Sequence, residues 1–289
     1  MIRNNKVAKR HKKVNPWEVV KQSIMYLILI LASIMIVVPF LFALSTSFTS
    51  QQNLFDFKWI PDPIDIGNYA ELFATKNVAG AFLNTFMYTI PTCLLSTFNS
   101  ALCAYACARI RFKGSKLIFS LITMTIFIPG VIILAPSFVL FATVYHWYGT
   151  PWPIIIPGMF GSAGSMLFLY QYFKTLPREL EEAAEIDGMG KVGIFLKIIL
   201  PLSVPALLTQ FILGFNGAYN DYLTPLLYVG MKPELWTIQL LVKSLSTAHN
   251  LRYPLLMAGA MVALVPTLIL FICCQKFFTE GIAMSGIKG

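Results

Sequence analysis

Residues 177–201, PRELEEAAEIDGMGKVGIFLKIILP, are the longest segment dense in charge after residue 21 and lie between two apolar stretches. Pro177 suits a first helical position, where its missing N–H costs nothing. Glu179, Glu181 and Glu182 then fall where a helix dipole favours negative charge. Leu180, Ala183 and Ala184 sit at i, i+3 and i+4 and form a small apolar face. Gly188 and Gly190 end that helix. A second short piece follows, with Val192, Phe195, Leu196 and Ile199 on one side, and Pro201 closes it. The spacing predicts helix, glycine turn, helix, exposed between two membrane spans. A helix that carries acids beside a tight glycine turn can fit a groove on a soluble partner.

The remaining chemistry is sparse. No G-x-x-x-x-G-K-[ST] stretch occurs, so no phosphate-cradling loop for ATP is present. No nucleophile–base–orienter set is visible. Cys93, Cys103, Cys107, Cys273 and Cys274 lie in or beside apolar spans and read as small buried hydrophobes, without metal spacing. His11, His146 and His249 are far apart in loop-like segments. The chain reads as non-catalytic, with no metal and no cofactor of its own.

The elements that must position the loop are membrane spans. Of 289 residues, 57% are hydrophobic and only 12% charged, against about 25% charged in soluble domains. A span needs about 20 apolar residues. Six runs qualify, at about 23–48, 81–109, 117–141, 153–173, 203–229 and 254–278. Prolines within them, such as Pro39, Pro129 and Pro136, are tolerable where neighbouring helices or cavities re-satisfy the freed backbone. Residues 1–22 form a basic segment and 279–289 a tail, flanking a six-span apolar domain at 23–278. The first apolar run is too long for a signal peptide and lacks a small-residue cleavage site, so it is expected to be retained.

Charge sets the orientation. Seventeen basic residues fall at the N-terminus, in loop 2–3, around 174–197 and in the tail; five (Lys58, Lys76, Lys232, Lys243 and Arg252) fall in the other loops. That bias puts both termini and the 177–201 loop in the cytoplasm. The longer loops 49–80 and 230–253 then face out, and their Trp59 and Trp236 suit the interface. The net charge of +9 reflects this topology rather than nucleic-acid binding. Span 2 also carries a small-residue stripe, Ser96, Ser100, Ala104 and Ala108, of the kind that lets membrane helices approach closely.

The spacing Glu182-Ala183-Ala184, three residues, Gly188, nine residues, Ile198, one residue, Leu200-Pro201 resembles the EAA loop of the membrane subunits of binding-protein-dependent ABC importers. Pro177 to Leu180 and the Asp187-Gly188 pair resemble the carbohydrate-importer branch, in particular its maltose-type second permease subunit. Ala104-Tyr105-Ala106-Cys107-Ala108-Arg109, followed by Phe112 and Gly114, is similar to the family's AYALAR-x-x-F-x-G block, with Cys107 where Leu is usual. Met189 departs from the Ala common after Asp-Gly. The tail 281–289, GIAMSGIKG, resembles the family's glycine-rich terminus. The resemblance spans roughly residues 20–289.

It implies an all-α polytopic membrane protein of the type I ABC importer permease fold. Such a protein has six transmembrane helices, both termini inside, and a cytoplasmic EAA coupling-helix loop. Coupling then falls on Glu182, Ala183, Ala184, Asp187, Gly188, Ile198, Leu200 and Pro201. The implied partners are a second homologous permease subunit, two ATPase subunits that bind ATP and Mg, an extracytoplasmic solute-binding protein, a carbohydrate substrate and membrane lipid. The implied location is the cytoplasmic membrane of a bacterial cell.

Span 5 holds the one clearly intramembrane acid, Asp221, in the run Asn216-Gly217-Ala218-Tyr219-Asn220-Asp221. An ionisable residue in a span marks a functional-site hypothesis. Amides and carboxylates match sugar hydroxyls, and a tyrosine ring can stack on C–H faces. Asn216, Tyr219 and Asn220 are expected on one helix face lining the solute path, with Asp221 near the outer boundary. That same face could instead bind span 5 to its neighbours; the sequence leaves both open. Two other classes compete with the importer. An ion-coupled secondary carrier often shows internal repeats and paired acids or bases in its spans, and none is obvious here. A membrane enzyme or scaffold needs a catalytic set or an appended soluble domain.

Overall fold

The computed structural model describes residues 16–56, 58–110, 112–246 and 252–286. The basic residues from Arg3 to Lys13, His11, Arg111, His249 and Lys288 lie outside the described residues, as does the end of the tail.

Helix α1, Pro16–Ser47, begins on a proline and runs through the first apolar stretch. It stands at the edge of the bundle, packed chiefly on the last helix, and most of its length is exposed in the isolated chain. Its far end carries a polar knot. Ser45 donates to the Lys58 carbonyl at 2.7 Å, Asn68 donates to the carbonyls of Ser47 (3.1 Å) and Thr49 (3.0 Å), and the Ser47 and Tyr69 hydroxyls are 2.7 Å apart. Asn68 and Tyr69 belong to α2, Gly67–Thr75, a helix within the stretch expected as an outer loop.

The central element is α3, Val78–Arg109. Its small-residue stripe does what small side chains permit: Ser100 and Ala104 are buried where the chain passes from α6, Trp152–Met159, to α7, Ala163–Thr175. The turn between them needs Gly161, at φ +100°, and the Ser162 N–H donates to the Ser100 hydroxyl at 3.1 Å. A Cβ on Gly161 would lie 2.7 Å from that hydroxyl oxygen. Gly161→Ala therefore combines left-handed strain with a clash against α3. We expect a loss of about 1–3 kcal/mol, read as a lowered melting temperature of the purified protein; an unchanged melt contradicts this role.

Three expected spans are interrupted. The run at 117–141 is two helices, α4, Ser115–Met124, and α5, Gly130–Val139, and with their 3-10 and π extensions the two halves meet at 95°. Ile128 is extended (φ −85°, ψ 113°), because a residue before proline is pushed out of the α region, and Pro129-Gly130 starts afresh. The run at 153–173 is α6 and α7, broken at the Gly161 turn. The run at 203–229 is α11, Val204–Tyr219, and α12, Leu223–Val229. Asn220 and Asp221 divide them: the Thr224 N–H donates to the Asp221 carboxylate at 3.2 Å, a capping contact.

Between α7 and α11 lie α8, Glu179–Ile186, α9, Lys191–Ile194, and α10, Leu200–Leu202. The supposed outer loop 230–253 contains α13, Ile238–Ser244, which folds back onto α3 and the last helix. Ile238, Leu241 and Leu245 are buried there with Leu72, Val78, Phe215 and Leu255. The last helix, α14, Tyr253–Gly286, continues past residue 278, where the sequence suggested a span end.

Among the described residues no strand occurs. Four segments are long and apolar enough to cross a membrane, α6 and α7 together counting as one, or six if the bent pairs Ser115–Phe127 with Gly130–Val144 and Lys191–Leu202 with Val204–Tyr219 each count as one span. The core lies in two main masses. One surrounds Tyr219 between α3, α11, α13 and α14; the other surrounds Tyr105 and Phe195 where α8 and α9 join α3 and α7.

Candidate functional site: a loop junction and an amide face

The acids of α8 divide between two faces. Glu182, Ala183 and Glu185 are exposed, while Glu181 and Ala184 are buried. The expected apolar face of Leu180, Ala183 and Ala184 is therefore corrected: Leu180 and Ala183 face out, and Glu181 takes the inner position one turn before Ala184. What draws Glu181 inward is Arg109, the last residue of α3. The two side chains are 3% and 9% exposed, with Arg109 Nη1 3.3 Å from Glu181 Oε1. Arg109 Nη2 also donates to the Phe173 carbonyl and, at 2.6 Å, to the Leu176 carbonyl. Leu176 lies just past the end of α7, and the Phe173 carbonyl, which already accepts the Leu176 N–H at 3.2 Å, takes the guanidinium on its second lone pair. One guanidinium thus joins α3, the end of α7 and the start of α8. The pair is incompletely satisfied: Arg109 Nε, Glu181 Oε1 and the Tyr105 hydroxyl, all buried, have no hydrogen-bond partner among the described residues.

The glycine turn follows. Asp187 ends α8, its N–H donating to the Ala183 carbonyl at 3.1 Å; the Gly188 N–H donates to Glu185 (3.0 Å) and the Met189 N–H to Ala184 (2.9 Å). Gly188 has φ +81° and open space around its Cβ position. Glycine is needed there for backbone conformation, not for room. A Lys191–Glu185 ion pair spans the turn.

The second piece is not a uniform α-helix. Residues 195–199 form a wide π turn between α9 and α10. Pro201 has no N–H to give the carbonyl four residues back, and its ring crowds that carbonyl; the wide turn accommodates both. The buried residues are Ile194, Phe195 and Ile199. Val192 and Leu196, expected on the same side, are exposed, because five-residue spacing aligns 194 with 199. Ile198 is half-buried. Leu200 and Pro201 open onto an apolar groove of 560 Å³ shared with Leu94, Phe98 and Phe211.

The second region is the end of α11. Asn216 and Asn220 lie exposed on one face, Asn220 Nδ2 donating to the Asn216 carbonyl (2.8 Å) and side-chain oxygen (3.0 Å). Gln239 of α13 extends the row, its Nε2 donating to Asn220 Oδ1 at 3.1 Å. Tyr219 is separated from them. It is 1% exposed, its hydroxyl donates to the Ala263 carbonyl at 2.7 Å, and its ring stacks on Phe215. The expectation of one face holding 216, 219 and 220 is corrected: 219 points into the bundle, since α14 offers an acceptor there. Asp221 caps α12. A row of exposed amides is costly against hydrocarbon, so this face meets water or another protein.

The sequence missed Arg109 as a joint, Glu181 as its partner and Gln239 as the third amide. Arg109 counted as a topological charge and as the end of the AYALAR-like block, with no partner assigned to it. For Gln239 a signal existed: Ile238, Leu241, Val242 and Leu245 at i, i+3, i+4 and i+7, after a Thr237 cap.

Comparisons with known proteins agree on one kind of molecule. The family model described as "Binding-protein-dependent transport system inner membrane component" matches residues 100–282. The chain is 32% identical over 230 residues to the arabinooligosaccharides transport system permease protein AraQ of Halalkalibacterium halodurans, covering 79% of this chain and 81% of that protein. It is 28% identical over 282 residues to the probable ABC transporter permease protein YurM of Bacillus subtilis, covering 97% of this chain and 93% of that one. In fold it is similar to a chain of a bacterial ABC transporter involved in the import of the acidic polysaccharide alginate, with TM-score 0.81, 21% identity, 92% of this chain and 99% of that chain.

Proposed function

The chain belongs to the family of binding-protein-dependent transport system inner membrane components, and from that premise we propose that it forms half of the translocation path of an ATP-driven carbohydrate importer. The family match over residues 100–282 carries this reading, because it includes both the loop junction and the amide face. Relatives named for arabinooligosaccharide, diacetylchitobiose and galactooligosaccharide transport support a carbohydrate as the solute. A solved alginate ABC transporter in complex with its alginate-bound periplasmic protein supports an external binding protein as a partner. Two ATPase subunits, holding ATP and Mg, and a second permease complete the assembly. The chain is multi-pass in the bacterial cytoplasmic membrane, with six spans and both termini inside, counting each bent pair as one span.

In this reading the ATPases hold the exposed side of the loop. Glu182, Ala183 and Asp187 meet the partner, Gly188 shapes the turn, and Ile198, Leu200 and Pro201 join the loop to α11. ATPase closure then moves α8 and α9 as levers, and the bundle passes from inward- to outward-facing. Asn216 and Asn220, with Gln239, line the solute path; Tyr219 supports them from inside the bundle.

The experiment is reconstitution of the four-subunit assembly in vesicles. Uptake should require ATP inside and the sugar-loaded binding protein outside. Uptake by this chain alone, driven by a proton or sodium gradient, refutes the proposal in favour of a secondary carrier.

Alanine at Asn216, Asn220 or Gln239 should each weaken apparent sugar affinity by about 2- to 10-fold, the size of one lost hydrogen bond. ATP hydrolysis stimulated by the binding protein should survive. Tyr219→Phe should leave sugar preference unchanged. If the three amide variants transport every sugar as before, the amides bind helices together instead.

A further inference from the structure

The loop hands over to α11 at one residue, Ser203. The segments Lys191–Leu202 and Val204–Tyr219 meet there at 78°. Ser203 ends α10 and precedes α11 at once. Its N–H donates to the Ile199 carbonyl at 3.0 Å and the Leu200 carbonyl at 3.1 Å, and its own carbonyl accepts the Leu207 N–H at 2.9 Å. The backbone groups are satisfied and the hydroxyl is not. Ser203 is 0% exposed, and its Oγ has no hydrogen-bond partner among the described residues. A buried hydroxyl left unpaired is costly.

Serine before a helix ordinarily caps it, its oxygen accepting from the second or third helical N–H. Pro205 has no N–H, which leaves Ala206, buried and third in α11. The Ala206 N–H is one of the donors that a helix start leaves without an intrahelical partner. Two other hydroxyl residues precede described α-helices, and both cap them. Ser162, at ψ 147°, accepts from the Ser165 N–H, and Thr237, at ψ 164°, accepts from the Leu240 N–H. Ser203 differs in its backbone. Its φ of −102° and ψ of 8° lie in the sparsely allowed bridge region rather than the extended one, and no cap bond forms.

We infer that Ser203 is a two-position hinge, which makes its cap bond to the Ala206 N–H only when the corner between the loop and α11 turns to a second setting. In the setting described here the corner is held by packing: Ile199 and Ala206, on either side of it, are buried in one core with Tyr105 and Phe173. In the second, Ser203 is extended, its hydroxyl and the Ala206 N–H satisfy each other, and α11 leaves the loop in a new direction. Each setting forgoes something the other has, so a modest push from a partner can choose between them. Because α11 carries Asn216 and Asn220, turning at Ser203 moves the amide face whenever the loop moves. The hinge is a property of the chain itself; only its use in coupling rests on the transport reading.

The test places nitroxide labels through Val192→Cys on the loop and Leu213→Cys on α11, both exposed positions, in a chain whose native cysteines are replaced by alanine. Pulsed EPR of this full-length chain in lipid nanodiscs should give two distance populations, one for the corner described here and one for the capped setting. Ser203→Ala cannot form the cap and should shrink the second population about fivefold, the worth of one helix cap. It should melt no lower than its parent, because it removes an unpaired hydroxyl. In the reconstituted importer the same substitution, without labels, should lower sugar uptake per ATP hydrolysed about fivefold. A single distance in the parent, equal populations with and without the hydroxyl, or a lowered melting temperature for Ser203→Ala overturns the hinge. Unchanged uptake per ATP overturns its role in coupling. Wild-type uptake that needs no ATP overturns the transport reading instead, and the distances still decide the hinge.

Discussion

Arg109→Ala should cost the protein about 3–5 kcal/mol, the range for breaking a buried ion pair by removing one partner. The Glu181 carboxylate would remain buried without the cation that pairs with it, the Leu176 carbonyl would lose its guanidinium donor, and the Phe173 carbonyl would keep only the Leu176 N–H. The expected result is a lowered melting temperature and early cleavage of the 177–201 loop by a protease added to the purified protein. Glu181→Gln should be milder, because an amide oxygen can still accept from the guanidinium. Arg109→Lys should fall between them, since one ammonium cannot serve the carbonyls and the carboxylate with the geometry of a planar fork. An alanine variant that melts with the wild type and keeps its loop protected would show that the joint holds nothing.

Gly188→Val should abolish coupling more completely than its small cost in stability suggests. A left-handed backbone costs a β-branched residue about 1–2 kcal/mol, and the open space around Gly188 adds no clash. The substitution therefore acts on the direction of the turn, which fixes how α9 leaves α8. In the reconstituted importer, transport stimulated by the binding protein should fall at least about tenfold, while the subunit still inserts and co-purifies. Gly188→Asn is the contrast, because asparagine tolerates the left-handed region, and it should transport nearly as wild type. Glu182→Lys, on the exposed side of α8, should lose transport by repelling the docked partner. Normal transport by both Gly188→Val and Glu182→Lys would remove the loop from the coupling mechanism.

The long apolar helices were legible because span length and hydropathy depend on composition alone. α1 and α3 are single helices; α3 keeps close to its predicted limits, whereas α1 begins at Pro16, about two turns inside the segment expected as a basic N-terminus. The breaks were harder. Pro129-Gly130 was visible, yet proline within a span can mean a kink or a corner, and only the extended Ile128 decides for a corner. Asn220-Asp221 looked like intramembrane polarity and is a helix boundary, since short polar side chains compete for backbone groups. The loop's order of helix, glycine turn and helix was readable, but its inner face was not. Glu181 is inside because Arg109 arrives from seventy residues away, and the π turn at 195–199 shifts which side chains face the core. Tyr219 was assigned to the amide face by helical period alone. Its real direction depends on the Ala263 carbonyl, which only the assembled bundle places.

The first helix rests chiefly against the last, and that bears on how the chain is made. Helix α1 leaves the ribosome before the other described helices and enters the bilayer with its main packing surface not yet synthesised. About two hundred residues must follow before Tyr253 begins α14. Until then α1 is held in place by lipid and by the polar knot that ties its far end to Asn68 and Tyr69, both translated soon after it. That knot closes over roughly twenty residues and so forms early, whereas the α1–α14 contact closes over most of the chain and forms late. A ribosome that stalls before residue 253 would leave an inserted but unclosed bundle, with α1 free to drift, a state that membrane proteases can recognise.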